Sequence, residues 1–228
     1  MDTALSRKRS RLELDPEDDH SRYRDSSADG PPAELKKTRK QGELDEIDLV
    51  PPEEAWMMDL NSLFSSPTFH SSPAVSKQLQ PHNNTANYVE GSSIIVLCVQ
   101  GNLHLHYDLL CAVLSQLYTL APSLQALVVC PDPTSHLPST TASVLLPLVQ
   151  GYGPHYNHFV KLGLLHPAGG GQVPLDALVV LDGKGRRRLV LPFGWGAGRH
   201  ATSPAGKGVQ SSLMGRLRMC VERLSREV

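Results

Sequence analysis

The hydrophobic pattern of the 228-residue chain changes at Ser92. Before this point apolar residues are scattered among charged residues, Ser, Pro and Asn, whereas after it they form regular runs. SIIVLCV has the length and β-branched content of a buried strand, and LQALVVCP predicts a second one. Between them, leucines and valines recur at helical spacing up to Pro122. The pattern predicts a βαβ unit with a right-handed parallel crossover.

The last 54 residues predict two further elements. LDALVVLDGKGRRRLVLPFGWG reads as two strands joined at Asp182-Gly183, since Asp-Gly between β-rich runs is a strong hairpin signal. Leu213, Leu217 and Leu224 share one face of a C-terminal amphipathic helix. The predicted fold class is α/β: a small βαβ-containing domain over 91–228, with a β-hairpin and a C-terminal amphipathic helix, preceded by a long disordered N-terminal region over 1–90.

Charge separates the two parts of the chain as well. The net charge is −1 overall, but residues 1–90 carry −6 and residues 91–228 carry +5. Such asymmetry favours partner binding over metabolic catalysis. No run approaches the 18 apolar residues typical of a membrane span, so no membrane association is expected. The four cysteines have no CxxC pair and three lie in apolar runs, which predicts buried free thiols in a reducing compartment.

One apolar segment interrupts the polar N-terminal region. In DLVPPEEAWMMDLNSLF, residues 48–64, prolines precede two glutamates, an order typical of a helix start. Trp56, Leu60, Leu63 and Phe64 then fall on one helical face, with Met57 beside them. An isolated helix of about 13 residues is marginal in water, so the pattern predicts a helix near 52–64 that forms when it docks.

This segment resembles the acidic, aromatic-anchored motifs of transcriptional activation domains. The resemblance implies docking of the helix into a groove of a partner protein, with Trp56, Met57, Leu60, Leu63 and Phe64 as the binding residues. Two alternatives remain open. One is docking on this chain's own α/β domain, where the segment would cover an open edge or face, and the other is an unstructured spacer.

Two basic clusters in the N-terminal region suggest nuclear targeting. The predicted contacts with a nuclear import receptor are Arg7, Lys8, Arg9, Arg11, Lys36, Lys37, Arg39 and Lys40. The sequence therefore predicts a protein of the nucleus.

Two Ser-Pro pairs follow the apolar segment, at Ser66 and Ser72. Ser-Pro in a flexible chain is the minimal substrate of proline-directed kinases. A phosphate would add about −1.5 to −2 charge, so both serines are predicted phosphorylation sites.

Catalytic and metal chemistry have weak support. His104-x-His106 and His155-x-x-His158 have ligand spacing, but no cysteine or carboxylate cluster accompanies them. The glycine-rich stretches lack the frame of a phosphate-binding loop, and no GxSxG motif occurs. We therefore expect no catalytic residue, no metal and no cofactor, and keep a diverged enzyme as an alternative.

The hairpin carries strong positive charge. Lys184, Arg186, Arg187 and Arg188 lie in a stretch, 182–226, with ten basic and two acidic residues. This favours a nucleic-acid-binding module as the first alternative, whereas the simpler explanation is an edge strand whose cations discourage aggregation. The main hypothesis from the sequence is a non-enzymatic nuclear adaptor that binds a protein through its acidic segment and its α/β domain. Its setting would be transcription, the cell cycle or genome maintenance.

Overall fold

The computed structural model describes residues 48–71, 79–101, 103–136, 144–167, 169–193 and 201–227. The helices are α1 (Leu60–Phe64), α2 (Leu105–Leu120), α3 (His158–Leu162) and α4 (Pro204–Glu227). The strands are β1 (Thr68–Ser71), β2 (Leu79–Pro81), β3 (Ile95–Val99), β4 (Gln125–Cys130), β5 (Leu148–Gln150), β6 (Tyr152–Gly153), β7 (Tyr156–Asn157), β8 (Ala177–Leu181) and β9 (Arg187–Pro192).

Seven of these strands form one mixed sheet in the order β2-β1-β5-β4-β3-β8-β9. The central strands β3, β4 and β5 run parallel, and β8 and β9 continue the sheet antiparallel on one side. On the other side, the β1–β2 hairpin is added antiparallel to β5. The small β6–β7 ladder lies apart from this sheet. The prediction of a mixed α/β fold with a parallel βαβ unit, a β-hairpin and a C-terminal helix is confirmed.

The sheet is buried on both faces, which explains the continuous apolar runs in the sequence. Every residue of β3 and β8 is buried. Helices α2 and α4 cover one face through a leucine-rich core that includes Leu110, Leu114 and Leu217. The other face packs under α1 and α3, with Leu63 and Phe159 fully buried there. The domain therefore has three layers, with the sheet in the middle.

The hairpin between β8 and β9 forms where Asp-Gly predicted it. The Asp182 carboxylate accepts hydrogen bonds from the backbone amides of Lys184 and Arg186, each at 3.0 Å. Gly185 has a φ of +80°, which favours glycine because it has no Cβ. Gly183 lies so close to the backbone of Gly91 that an added Cβ would meet its carbonyl carbon at 2.3 Å. The turn is thus held by a carboxylate and by two glycines.

Two boundaries differ from the sequence prediction: the start of the folded domain and the start of the C-terminal helix. The boundary at residue 91 falls inside the folded unit, since α1, β1 and β2 all precede it and pack on the sheet. The contacts of the chain instead separate residues 1–39 from 40–228. The C-terminal helix starts at Pro204, well before Leu213, the first residue of its predicted apolar face, and the Ser203 hydroxyl accepts from the Gly206 amide at 3.1 Å. The Ser203-Pro204 pair in the sequence is typical of a helix start, with Ser as the N-cap and Pro as the first helical residue.

Within the described ranges, no helix has both the length and the mean hydropathy needed to cross a membrane.

Candidate functional site

The acidic segment adds backbone to the outer edge of the sheet. Residues 48–58, here the edge segment, run beside β9, the last strand of the sheet. The Val50 amide donates to the Arg188 carbonyl, the Arg187 amide to the Trp56 carbonyl, and the Met58 amide to the Gly185 carbonyl, each at 2.8 Å. Residues between these anchor points form a turn. The edge segment thereby occupies hydrogen-bonding positions that an edge strand would otherwise leave open.

Trp56 and Met57, here the edge pair, are the exposed part of this segment. Each is 60% exposed, although the backbone of Trp56 is hydrogen-bonded to Arg187 of β9 and that of Met57 pairs with Arg186 in the turn before β9. The next residue, Met58, is only 3% exposed and belongs to the core under α1 and α3. One anchored strand end therefore presents two large apolar side chains to solvent and inserts a third into the core.

Helix α1 follows the edge segment directly and is shorter than the helix predicted near 52–64. It spans Leu60–Phe64, and the Asp59 side chain caps it by accepting from the Ser62 amide at 3.2 Å. Residues 56–58 pair with Arg187 of β9 and with Gly185 and Arg186 of the turn before it, so their backbone is not helical. Asp59, a residue type common at helix N-caps, marks the start of the helix.

The apolar face of α1 is used within this chain. Leu63 is fully buried, and Leu60 packs partly buried against the same core. The Phe64 ring contacts the Tyr88 ring with centroids 4.7 Å apart. Docking on the chain's own domain was one of the alternatives left open by the sequence, and it describes this geometry. Of the five predicted binding residues, only the edge pair is largely exposed.

Three acidic residues flank the edge pair along the chain and are here called the acidic flank. Glu53, Glu54 and Asp59 are all exposed and lie within three residues of the pair along the chain. The surface therefore combines apolar contact area with negative charge, a composition that suits a partner surface with an apolar pocket and a basic rim.

The basic hairpin is largely engaged inside the protein. Arg188 is 0% exposed; its Nε donates to the Val50 carbonyl at 2.7 Å, and its Nη1 donates to Glu227 at 2.7 Å. The Arg186 Nε donates to Asp182 at 2.6 Å, and Arg187 donates to the Leu162 carbonyl. Among the four predicted nucleic-acid contacts, Lys184 is the exposed residue. These arginines join elements of the fold, and a phosphate-binding row is not formed.

Ser66 lies in a buried polar contact. It is 6% exposed, and its hydroxyl lies 2.7 Å from His158 Nε2 and 2.8 Å from the Ser62 carbonyl oxygen. Because a carbonyl oxygen only accepts, the Ser66 hydrogen is used there and His158 donates from Nε2. His158 then cannot act as the base of a serine nucleophile. A kinase would reach Ser66 only after this contact opens, and the second predicted site, Ser72, lies outside the described residues.

The two histidine pairs are separated by the fold. His104 is exposed, whereas the His106 ring is buried, with Nε2 2.9 Å from the Val99 carbonyl oxygen. His155 is exposed and His158 is buried against Ser66. Nowhere in the described ranges do three His, Cys, Asp or Glu side chains come together as metal ligands.

All four cysteines are free and buried. Burial raises the pKa of Cys130 and of Cys220 to about 12, and it also raises the pKa of Cys98 and Cys111. A reactive cysteine needs an accessible thiolate with a lowered pKa, so none of the four has the surroundings of a reactive thiol.

The predicted import residues, all between Arg7 and Lys40, lie outside the part of the chain that the structure describes, and nuclear targeting stays a prediction.

The comparison with protein-family models finds no match. Among curated proteins, the Uba3-binding protein but1 of Schizosaccharomyces pombe is 53% identical over 33 residues. That match covers 14% of this chain and 14% of but1, so the chain spans about a seventh of the length of this relative.

Among solved structures, the fold is similar to peroxiredoxins. The mitochondrial 2-Cys peroxiredoxin of Plasmodium falciparum matches with a TM-score of 0.43 and 10% identity, over 68% of this chain and 90% of that one. The bacterioferritin comigratory protein of Xanthomonas campestris, described by its alkyl peroxide reduction activity, matches with a TM-score of 0.42 and 15% identity, over 71% and 98%. AhpC of Mycobacterium tuberculosis matches at 0.42 and 13%, over 70% and 91%.

These likenesses correct the main functional hypothesis. The prediction of a non-enzymatic nuclear adaptor is contradicted, because the similar folds include a protein with a peroxide reduction activity, and it is withdrawn. The diverged enzyme, kept as an alternative, stays a prediction. At these TM-scores the likenesses transfer no activity to this chain, and no catalytic step is drawn from them.

Proposed function

We propose that this protein binds another protein, a relative of Uba3, through the edge pair Trp56 and Met57. The observation that carries the proposal is the exposure of two large apolar side chains, 60% each, on backbone that is hydrogen-bonded to β9. The short match to but1, a protein named for binding Uba3, supports the choice of partner.

Residue type and anchoring both favour a binding role for the edge pair. Tryptophan is enriched among the residues that dominate interface energies, and methionine adapts to irregular apolar surfaces. Because the backbone around the pair is already fixed on β9, less conformational entropy is lost when a partner binds. This binding mode differs from the folding of a helix into a partner's groove, since the apolar face of α1 is already packed against the core.

The acidic flank supports the same proposal. Glu53, Glu54 and Asp59 would speed the approach of a partner with a basic surface around its pocket. This contribution weakens as the salt concentration rises, because screening shortens the reach of exposed charges.

Binding of purified fission-yeast Uba3, measured by isothermal titration calorimetry, tests the proposal. We expect the Trp56→Ala, Met57→Ala double variant to bind at least about tenfold more weakly, a loss of about 1.4 kcal/mol or more. Met219→Ala is the matched control, since this methionine is also 60% exposed but lies on α4. Both variants should keep the thermal midpoint of the parent, because each removes exposed side chains only.

Two results would overturn the proposal in different ways. If the intact chain does not bind Uba3, the proposed partner is wrong. Binding that survives the double variant unchanged would remove the edge pair as the binding surface.

A further inference from the structure

A groove lies between the start of the edge segment and helix α4. It has a volume of about 390 Å³. Its apolar floor is formed by Leu49, by Leu189 of β9 and by Cys220 of α4, and the last two are each only 3% exposed. Arg216 and Arg223, two turns apart on α4, line the same groove. The groove thus places an apolar floor beside two positive charges.

The acidic residues of α4 are engaged by other arginines. The helix carries five basic residues and two acidic ones. Glu227 accepts from the buried Arg188 at 2.7 Å, and Glu222 accepts from Arg226 at 2.6 Å. Arg223 lies farther from Glu227, at 3.5 Å, and its side chain is 69% exposed. This wall of the groove therefore suits an occupant that brings carboxylates together with apolar side chains.

The residues that precede Asp48 in the sequence have this composition. Asp48 and Leu49 both line the groove, so the chain enters it at this point. Residues 43–47 read Glu-Leu-Asp-Glu-Ile, with three acidic residues, two apolar ones and no basic one. These five residues precede the part of the chain that the structure describes.

The length of this stretch also fits the groove. Arg223 follows Arg216 by seven positions, which corresponds to about 10 Å along the helix at about 1.5 Å per residue. Five residues of extended chain reach about 17 Å. A chain that starts from Asp48 can therefore pass both arginines.

We propose that residues 43–47, here the leading segment, occupy this groove in the same molecule. Leu44 and Ile47 contact the apolar floor, and the carboxylates of the segment pair with Arg216 and Arg223. Exposed ion pairs stabilise only weakly, so burial of the two apolar side chains provides most of the binding free energy, and the charges orient the segment.

The covalent connection makes this occupant hard to replace. Because the leading segment is joined to Asp48, which already lies in the groove, its effective concentration is on the order of millimolar. An acidic peptide of another protein would have to displace it. The leading segment would also hold the start of the edge segment against α4, next to the hydrogen bond from the Val50 amide to the Arg188 carbonyl.

The tripeptide Glu-Leu-Asp occurs at 13–15 as well as at 43–45, and this repetition provides a matched control. The test variant of the full-length chain removes three carboxylates from the leading segment: Glu43→Gln, Asp45→Asn, Glu46→Gln. The control removes the same types of carboxylate near the other copy: Glu13→Gln, Asp15→Asn, Glu17→Gln.

In ¹⁵N-labelled full-length protein, we expect the test variant to shift the backbone amide signals of Met219, Cys220 and Arg223. Its thermal midpoint should fall by about 2–4 °C. The control should leave the amide signals and the midpoint unchanged. For the apolar contact, Leu44→Ser should behave like the test variant and Leu14→Ser like the control.

A double-mutant cycle connects the leading segment to the arginines of the groove. In the background Arg216→Gln, Arg223→Gln, neutralising the three acids should lower the midpoint no further, because their partners are gone. Should this background not fold, Arg223→Gln alone decides, since that side chain is largely exposed and can be replaced without disturbing the core. The further loss in that background should be smaller than in the parent.

Three results would overturn the proposal. Equal behaviour of the test variant and its control would show that the leading segment makes no special contact with the groove. Full additivity with the arginine variants would separate the acids from Arg216 and Arg223. Differences in amide shift that disappear on dilution would assign the groove to a second copy of the chain. Uba3 takes part in none of these measurements, so the proposal for the edge pair does not depend on them.

Discussion

Arg188 is the residue on which most of the tertiary connections at the β9 edge converge. Its guanidinium joins three parts of the chain: the edge segment at Val50, the hairpin at Asp182 and the end of α4 at Glu227. The hydrogen bond from Arg188 holds the pKa of Glu227 below its usual range. A buried arginine is stable only with such partners, because an unpaired buried charge is costly.

Replacing Arg188 should therefore destabilise the fold strongly. We expect Arg188→Met to lower the free energy of unfolding by about 3 kcal/mol, because Asp182 and Glu227 lose their cation and the Val50 carbonyl loses its donor. Urea unfolding followed by circular dichroism measures this. Arg226→Met is the control, since its side chain is 75% exposed in a surface pair with Glu222, and such pairs contribute about 0–1 kcal/mol. Equal losses in the two variants would contradict the role of Arg188.

His158 makes the stability depend on pH. Burial, and secondarily Lys161, lowers its pKa to about 4 from an ordinary value of 6.5. The unfolded chain thus takes up this proton at a higher pH than the folded protein does. The contribution of neutral His158 to the free energy of unfolding is complete above about pH 6.5 and is lost progressively as the pH falls toward 4.

A conservative variant tests this linkage. His158→Gln keeps a donor for Ser66 but does not titrate, so the decline in stability between about pH 6.5 and 4 should become shallower. Urea midpoints across this pH range provide the measurement. His155→Gln, at an exposed position, should retain the parent's slope, and a parent-like slope in His158→Gln would refute the assignment.

At the scale of elements, glycines have opposite roles in the hairpin and in α4. Gly183 faces the backbone of Gly91 and Ser92, where an added Cβ would lie 2.3 Å and 2.6 Å from backbone atoms that cannot easily yield. Gly208 lies on an exposed face of α4 with nothing within 4 Å of its ideal Cβ.

The same substitution should consequently have opposite signs at the two positions. We expect Gly183→Ala to destabilise by about 1–3 kcal/mol through overpacking, and Gly208→Ala to stabilise by up to about 1 kcal/mol through helix propensity. Thermal unfolding of the two single variants gives the comparison. A stabilised Gly183→Ala would mean that the hairpin does not pack on Gly91.

At the scale of the whole molecule, the folded unit includes residues that the hydrophobic pattern assigned to the polar N-terminal region. Met58 and Leu63 insert into the core beneath α1 and α3, and β1 extends the sheet beyond β5. Removing the first 90 residues would expose that core face and both outer edges of the sheet. Exposed edges and apolar faces are the usual starting points of aggregation.

Two truncations separate the possible boundaries. A chain of residues 40–228 should unfold cooperatively at a midpoint close to that of the full chain. A chain of residues 91–228 should be insoluble or lack a cooperative transition. Calorimetry and size-exclusion chromatography distinguish them, and a stable, monomeric 91–228 would restore the boundary predicted from the sequence.

Elements with strong local signals were predictable. A pattern of a few neighbouring residues is sufficient to predict each of three elements: the buried strand β3, the leucine-spaced helix α2 and the Asp-Gly turn. The segment 48–64 could not be assigned in this way. Its apolar spacing fits a helix, but pairing of residues 56–58 with β9 and its turn confines α1 to Leu60–Phe64, and no local pattern contains that distant strand.

Periodicity and turn chemistry are local, so the α/β class, the βαβ unit, the hairpin and the C-terminal helix follow from the sequence alone. Three features depend on tertiary contacts instead: the edge segment covers the β9 edge, Arg188 is buried and links three parts of the chain, and Trp56 and Met57 remain exposed while Leu63 does not. Burial and pairing between distant segments depend on how the whole chain packs, so local patterns cannot determine them.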